Sequence, residues 1–232
     1  MFYPFYFDWT YLLLLPPLLI SMWAQYRVSS TFGKYSKVHS SAGISAKQMA
    51  QQLLANEGVH DVSVERVRGK LTDHYDPKNL VLRLSDSTAD SDSVAALGVA
   101  AHEAGHVLQH RDGYGPLMLR TASVSVVNIG SNLAWPVFIA GLIFSWDPLI
   151  NIGIALFALV VLFSLITLPV EFNASKRALA VLESGGYLQR GEEIDGAKKV
   201  LSAAAMTYVA SAFMAIAQLV RLLAIAGSRR RD

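Results

Sequence analysis

From Val99 to Asp112 the chain reads VAAHEAGHVLQHRD. Three histidines, a glutamate and an aspartate fall within eleven positions of an otherwise apolar run. Burying such groups is costly unless a partner compensates them. The HEAGH core fits H-E-x-x-H. On a helix, His102 and His106 lie one turn apart on one face, so both imidazoles can reach one ion. Glu103 stands beside them, placed to take a proton from a water that the ion polarises and to pass it to a leaving amine. That is the chemistry of metal-assisted hydrolysis. The chain has no cysteine, which excludes disulfides and thiolate sites. Imidazole and carboxylate ligands without thiolates suit zinc best, with cobalt or manganese as substitutes.

Two histidines do not complete a catalytic zinc site, which takes three protein ligands and keeps one position open. Three residues are candidates for the third. His110 repeats the four-residue step, but lies roughly 12 Å from His102 along a helix axis, too far to share an ion. Asp112 stands ten residues after His102, the spacing of H-E-x-x-H-x-x-G-x-x-H sites. Those sites turn the chain at a glycine, and here that position is Gln109. Glu171, in PVEFNASKRAL, follows Pro169, and the two are expected to close one helix and open the next.

The positioning elements follow from hydropathy and turn chemistry. Of 232 residues, 53% are hydrophobic and 16% charged. Soluble domains are nearer a quarter charged. The net charge of +2 gives no nucleic-acid signature. The run 9–26 is long enough for an anchor, with aromatics near both ends and a kink expected at Pro16–Pro17. MFYPFYFD before it has no Lys or Arg, whereas Arg27, Lys34 and Lys37 follow. The expectation is an uncleaved anchor with its N-terminus outside. Residues 28–117 read as a soluble part. A helix capped by Ser45 ends near Gly58, strands fall at DVSVERV and NLVLRLS, and Asp92 or Ser93 caps a helix over 94–110. Apolar runs over 122–145 and 149–168, joined by SWDP, predict a membrane hairpin. The run 200–226 has spanning length, but Gln218 and Arg221 interrupt it and SRRR follows. The reading is a helix packed on the bundle or dipping into the membrane. The predicted fold is mainly α, a multi-span membrane helical bundle with a small α+β zincin-like catalytic part. That part pairs an edge strand, assigned to 79–85, with the H-E-x-x-H helix, and the whole of 1–232 forms one unit.

The segments GKLTDHYDPKNLVLRLS, ALGVAAHEAGHVLQH, LPVEFNASKRAL and GAKKVLSAAAMTYVASA together resemble the YugP-type zinc-dependent membrane peptidases. That family is similar in layout to the HtpX and Ste24 gluzincins. The likeness covers nearly the whole chain, with its blocks in order. It implies an integral membrane zinc endopeptidase of a bacterial cytoplasmic membrane, its site facing the cytoplasm. Its substrates would be membrane-associated or misfolded proteins, and its other contacts membrane lipid. It implies His102, His106 and Glu171 as zinc ligands and Glu103 as the catalytic base. In HtpX-like proteins an acid four residues after the ligand glutamate supports a ligand histidine. Here that position is Ser175, with Asn173 the nearest polar alternative. His74, Tyr75, Tyr208 and Arg221 are candidate oxyanion donors. The alternative reading is a non-enzymatic membrane module that binds metal or a partner. A transporter is disfavoured, because the runs 122–145 and 149–168 hold no charged side chain.

Overall fold

The computed structural model describes residues 9–229. The N-terminal MFYPFYFD segment, apart from its neighbour Trp9, and the basic Arg230 and Arg231 lie outside the described residues. The chain divides into two compact units. The first comprises the described residues up to Trp23, Leu119–Thr167 and the chain from Thr207 onward. The second comprises Ala24–Met118 and Leu168–Met206.

The anchor run begins as a 3-10 helix, Trp9–Leu14, and continues as α1, Leu15–Tyr35. Pro16 and Pro17 sit in the first turn of α1, where the 3-10 helix passes into the α-helix and a missing N–H is best tolerated. Among the described residues three helices are long and apolar enough to cross a membrane: α4 (Gly115–Ile143), α5 (Asp147–Ser184) and α6 (Glu192–Arg229). The expected anchor is not among them. Its apolar residues are split between the 3-10 turn and a helix that carries Gln25, Arg27 and Lys34.

In the first unit α4 and α5 form the expected hairpin, joined by residues 144–146. Glycines allow the two helices to touch. A Cβ at Gly153 would lie 2.8 Å from the Phe138 backbone, and one at Gly141 would lie 2.6 Å from the Ile150 nitrogen. Small residues permit this close approach where lipid offers no hydrophobic drive. Segment 200–226 is the greater part of α6 and packs on the hairpin, the first of the two expected arrangements. Its Leu222 and Ala226 pack with Phe138 and Ile150. At the far end Arg229 donates to the Leu142 carbonyl at 3.0 Å. A cation thus sits on the last carbonyls of α4, at the negative end of that helix. Arg221 is buried. Its guanidinium stacks 3.7 Å from the Tyr11 ring centroid, and its Nε donates to Thr10.

The second unit carries the sheet. Helix α2 (Ala46–Asn56) opens with the expected Ser45, as a capping box closed by Gln48. Strands β1 (Ser63–Val67), β2 (His74–Asp76) and β3 (Val81–Ser85) follow, then α3 (Val94–Arg111), whose N-cap is Ser93. The sheet order is β1-β3-β2, with β3 parallel to β1 and antiparallel to β2. This corrects the assignment of 79–85 as an edge strand. β3 is the central strand, because the DPKN turn folds β2 back along it, pairing Tyr75 with Leu82. Asp76 Oδ1 accepts from the Lys78 and Asn79 amides and fixes that turn. Leu82 and Leu84 from the sheet, Met49 and Leu53 from α2, and Leu97 from α3 are fully or nearly fully buried together.

The second correction concerns Pro169. The chain does not break there. α5 runs unbroken from Asp147 to Ser184, so Glu171 lies inside a long helix and does not open a new one.

Gly153 and Gly130 test the hairpin packing. A Cβ at Gly130 would meet Leu156 only at ordinary contact, 3.7 Å. G153A is expected to destabilise the detergent-solubilised protein by about 1–3 kcal/mol, the usual cost of overpacking. G130A should leave the thermal unfolding midpoint unchanged.

Candidate metal centre

Two helices of the second unit build the site. α3 presents His102 and His106 one turn apart, their rings edge to face at 4.8 Å between centroids. α5 presents Glu171, which is 1% exposed. The His102 Nε2 lies 3.2 Å from Glu171 Oε2, and the His106 Nε2 lies 3.7 Å from the same oxygen. One ligand atom from each residue lies within 4.8 Å of the others.

Gly105 explains why the helices come this close. A Cβ there would stand 2.6 Å from the Ala174 carbonyl oxygen of α5 and 3.2 Å from its Cα. The glycine of HEAGH is therefore required by packing. Without it α3 could not bring its histidines to the turn of α5 that holds Glu171.

The far ring nitrogens are also held. His102 Nδ1 lies 3.1 Å from Ser175 Oγ, and His106 Nδ1 lies 2.9 Å from Gln109 Oε1. Ser175 thus occupies, with a hydroxyl, the place where the resemblance leads one to expect an acid. Asn173 touches Gln109 and not a histidine. Gln109 was legible in the sequence only as the residue that spoils a glycine turn. Its position three after His106 on one helix face was the signal for its contact.

The other candidates are engaged elsewhere. Asp112 caps the C-terminus of α3 and pairs with Arg111 and Arg177, and these hold its carboxyl below the usual carboxylate range, Arg177 first. His110 shares a 2.8 Å hydrogen bond with the Tyr75 hydroxyl. Burial is the main cause that pushes that phenol up to about 12, so it stays protonated at neutral pH. His74 Nδ1 donates to the Thr72 carbonyl. Tyr208 and Arg221 belong to the other unit. Glu103 is half-buried next to both histidines in the helix.

The donor set fits zinc. Ligand atoms about 2.0–2.1 Å from a tetrahedral ion stand roughly 3.3 Å apart. The two distances to Glu171 bracket that spacing. Both Nδ1 atoms face hydrogen-bonding oxygens, which leaves both Nε2 atoms directed at the carboxylate. A buried carboxylate between two imidazoles is the arrangement that a divalent cation compensates.

The family described as a putative neutral zinc metallopeptidase matches residues 10–227. The chain belongs to that family. It is also 48% identical over 206 residues to the "Putative membrane protease YugP" of Bacillus subtilis (strain 168), a match covering 89% of this chain and 91% of the relative. No solved structure matches the chain. Membership makes the chain a zinc-peptidase family member, the His/His/Glu group could hold such an ion, and the three membrane-length helices agree with a membrane protein.

Two expectations follow. G105A should separate α3 from α5, lowering stability by about 1–3 kcal/mol and abolishing stoichiometric zinc. G98A, whose Cβ would meet Ala197 at 3.6 Å, should retain it. Elemental analysis with thermal unfolding distinguishes the two. The second expectation concerns pH. Burial works against a proton on His106, but its hydrogen bond to the Glu171 carboxylate and the charge of Glu103 outweigh it, so its pKa is raised. Zinc needs the neutral imidazole. As pH falls through that raised pKa, protons should displace zinc at a higher pH than they would from an unperturbed histidine site. Zinc retention across a pH series reads this directly.

Proposed function

We propose that the chain is a gluzincin-type membrane endopeptidase, in which His102, His106 and Glu171 hold zinc and Glu103 is the general base. The observation that carries this reading is the convergence of both Nε2 atoms on one Glu171 oxygen. Bound there, zinc would supply a Lewis acid that polarises a peptide carbonyl and acidifies a water.

The chain's own residues do the rest. Glu103, one residue after the first ligand, takes a proton at its carboxylate from the attacking water. The same carboxyl then protonates the amine nitrogen as the C–N bond breaks. Glu171 and the two histidines keep their lone pairs directed inward. β2 is the sheet edge beside α3, its outer side unpaired among the described residues, and its Tyr75 is bonded to His110 one turn beyond His106. A substrate main chain would add there as a further strand.

The substrate class that suits such a chain is membrane-associated or misfolded protein, because its three apolar helices hold it at the bilayer. Arg27, Lys34 and Lys37 support, by the positive-inside rule, a reading in which the second unit faces the cytoplasm at a bacterial inner membrane. On this reading residues 1–232 work as one peptidase.

The test uses full-length protein in detergent. The wild type should hold about one zinc per chain and cut a denatured protein substrate. E103Q should keep the zinc and lose cleavage by about 10²–10⁴-fold, the range for a lost acid–base group. E171A should lose the zinc, and D112A should keep it. Zinc binding with no cleavage by the wild type of any substrate tried, together with a silent E103Q in cells, would overturn the peptidase in favour of a metal-binding module.

A further inference from the structure

A chain of hydrogen bonds runs from the surface of the second unit to His106, and each donor and acceptor in it is forced. Arg177 has only N–H groups, so its Nε must donate to Asn173, whose facing atom is therefore Oδ1, at 2.9 Å. The Val170 carbonyl can only accept, so the Gln109 atom 2.8 Å from it must be Nε2. That same Nε2 donates to Asn173 Oδ1 at 2.9 Å. The Gln109 amide is thus pinned, with Oε1 turned to His106. An amide oxygen accepts and cannot donate. The His106 Nδ1 must therefore carry the hydrogen, so in the neutral imidazole the lone pair is on Nε2, facing Glu171.

We infer that Gln109 and Asn173, anchored by Arg177, are positioning residues that lock His106 in its metal-binding tautomer before any metal arrives. The lock rests on the zinc-site reading above and deepens it. Asp112 forms its outer end through its pairing with Arg177. A residue with ligand spacing in the sequence thereby serves the site at four removes. Gln109 is fully buried, so no water can replace its amide without a change in packing. The other ligand has no such lock. Ser175 beside His102 has a hydroxyl that donates or accepts equally, so that tautomer is left to the metal to select.

Within the lock Asn173 acts only as an acceptor, from Gln109 and from Arg177. An aspartate can fill that role on both sides, and a leucine on neither. The experiment compares Q109L, N173L and N173D with wild type in the full chain. Zinc affinity is measured by competition with a chelator. The state of the histidine nitrogens is read by nitrogen NMR of the metal-free protein with labelled histidine, at a pH where the imidazoles are neutral.

Q109L should weaken zinc about 10–100-fold, the usual effect of removing a ligand's supporting partner. It should also shift the His106 signal from a single Nδ1–H form to a mixture. N173L should shift both in the same direction by less, and N173D should match wild type in both. A wild-type tautomer signature in Q109L would overturn the lock, even if zinc binding fell through loss of packing. N173D behaving as N173L would overturn the relay role of Asn173. A wild type that binds no zinc yet shows a single His106 tautomer would sink the metal-site reading while leaving the lock standing.

Discussion

The structure of the metal centre depends on the contact between Gly105 and the backbone of Ala174. Histidines at four-residue spacing are easily written on one helix, but a third ligand from a distant segment requires two helix axes to approach closely. Any side chain at residue 105 larger than hydrogen would strike the Ala174 carbonyl. The same glycine, three residues after His102 and one before His106, therefore fixes the distance at which Glu171 meets both imidazoles. Ala178 and Leu182 continue the α5 side of this contact into the fully buried core with α3. The surrounding hydrophobic core is packed through the site.

The core imposes a second constraint, on polarity. Glu171, His106 and Gln109 are all buried in it. Each needs a satisfied partner, because an unpaired buried group costs more than its hydrogen bond returns. The structure meets this with two short routes outward. One passes through Ser175, and the other through Gln109, Asn173 and Arg177 to Asp112. The supporting groups come from the same two helices as the ligands, so the packing that sets ligand distance also sets ligand orientation.

Much of this was legible from residue types. The spacing of HEAGH puts His102 and His106 on one helix face, Ser45 and Ser93 cap the helices they were expected to cap, and Glu171 joins the histidines. What the sequence concealed has physical causes. Pro169 reads as a stop, yet a long apolar helix absorbs one missing hydrogen bond and continues, as happens where neighbouring structure holds it. The strand over 79–85 reads as an edge because β2 has only three residues, too few for an alternation pattern to register. Segment 200–226 reads as interrupted by Gln218 and Arg221. It continues as one helix, with Arg221 lying against Tyr11 and Trp135, an aromatic cradle that no local window reveals. In each case a tertiary neighbour changes the meaning of a single residue.

The two proline outcomes clarify how far local rules extend in such a chain. Pro16 and Pro17 obey them, because they fall where a helix begins and no N–H is required. Pro169 does not, and its position matters for the site. Glu171 is two residues later on the same helix, so the carboxylate is carried by an unbroken element. Had the helix broken at Pro169, the third ligand would sit on a short segment free to adjust its own register. Instead the register of Glu171 is inherited from a helix of 38 residues. A carboxylate on a long helix cannot rotate toward the histidines independently. The histidines must then be held to match it, and the forced amide of Gln109 does this for the more buried of the two.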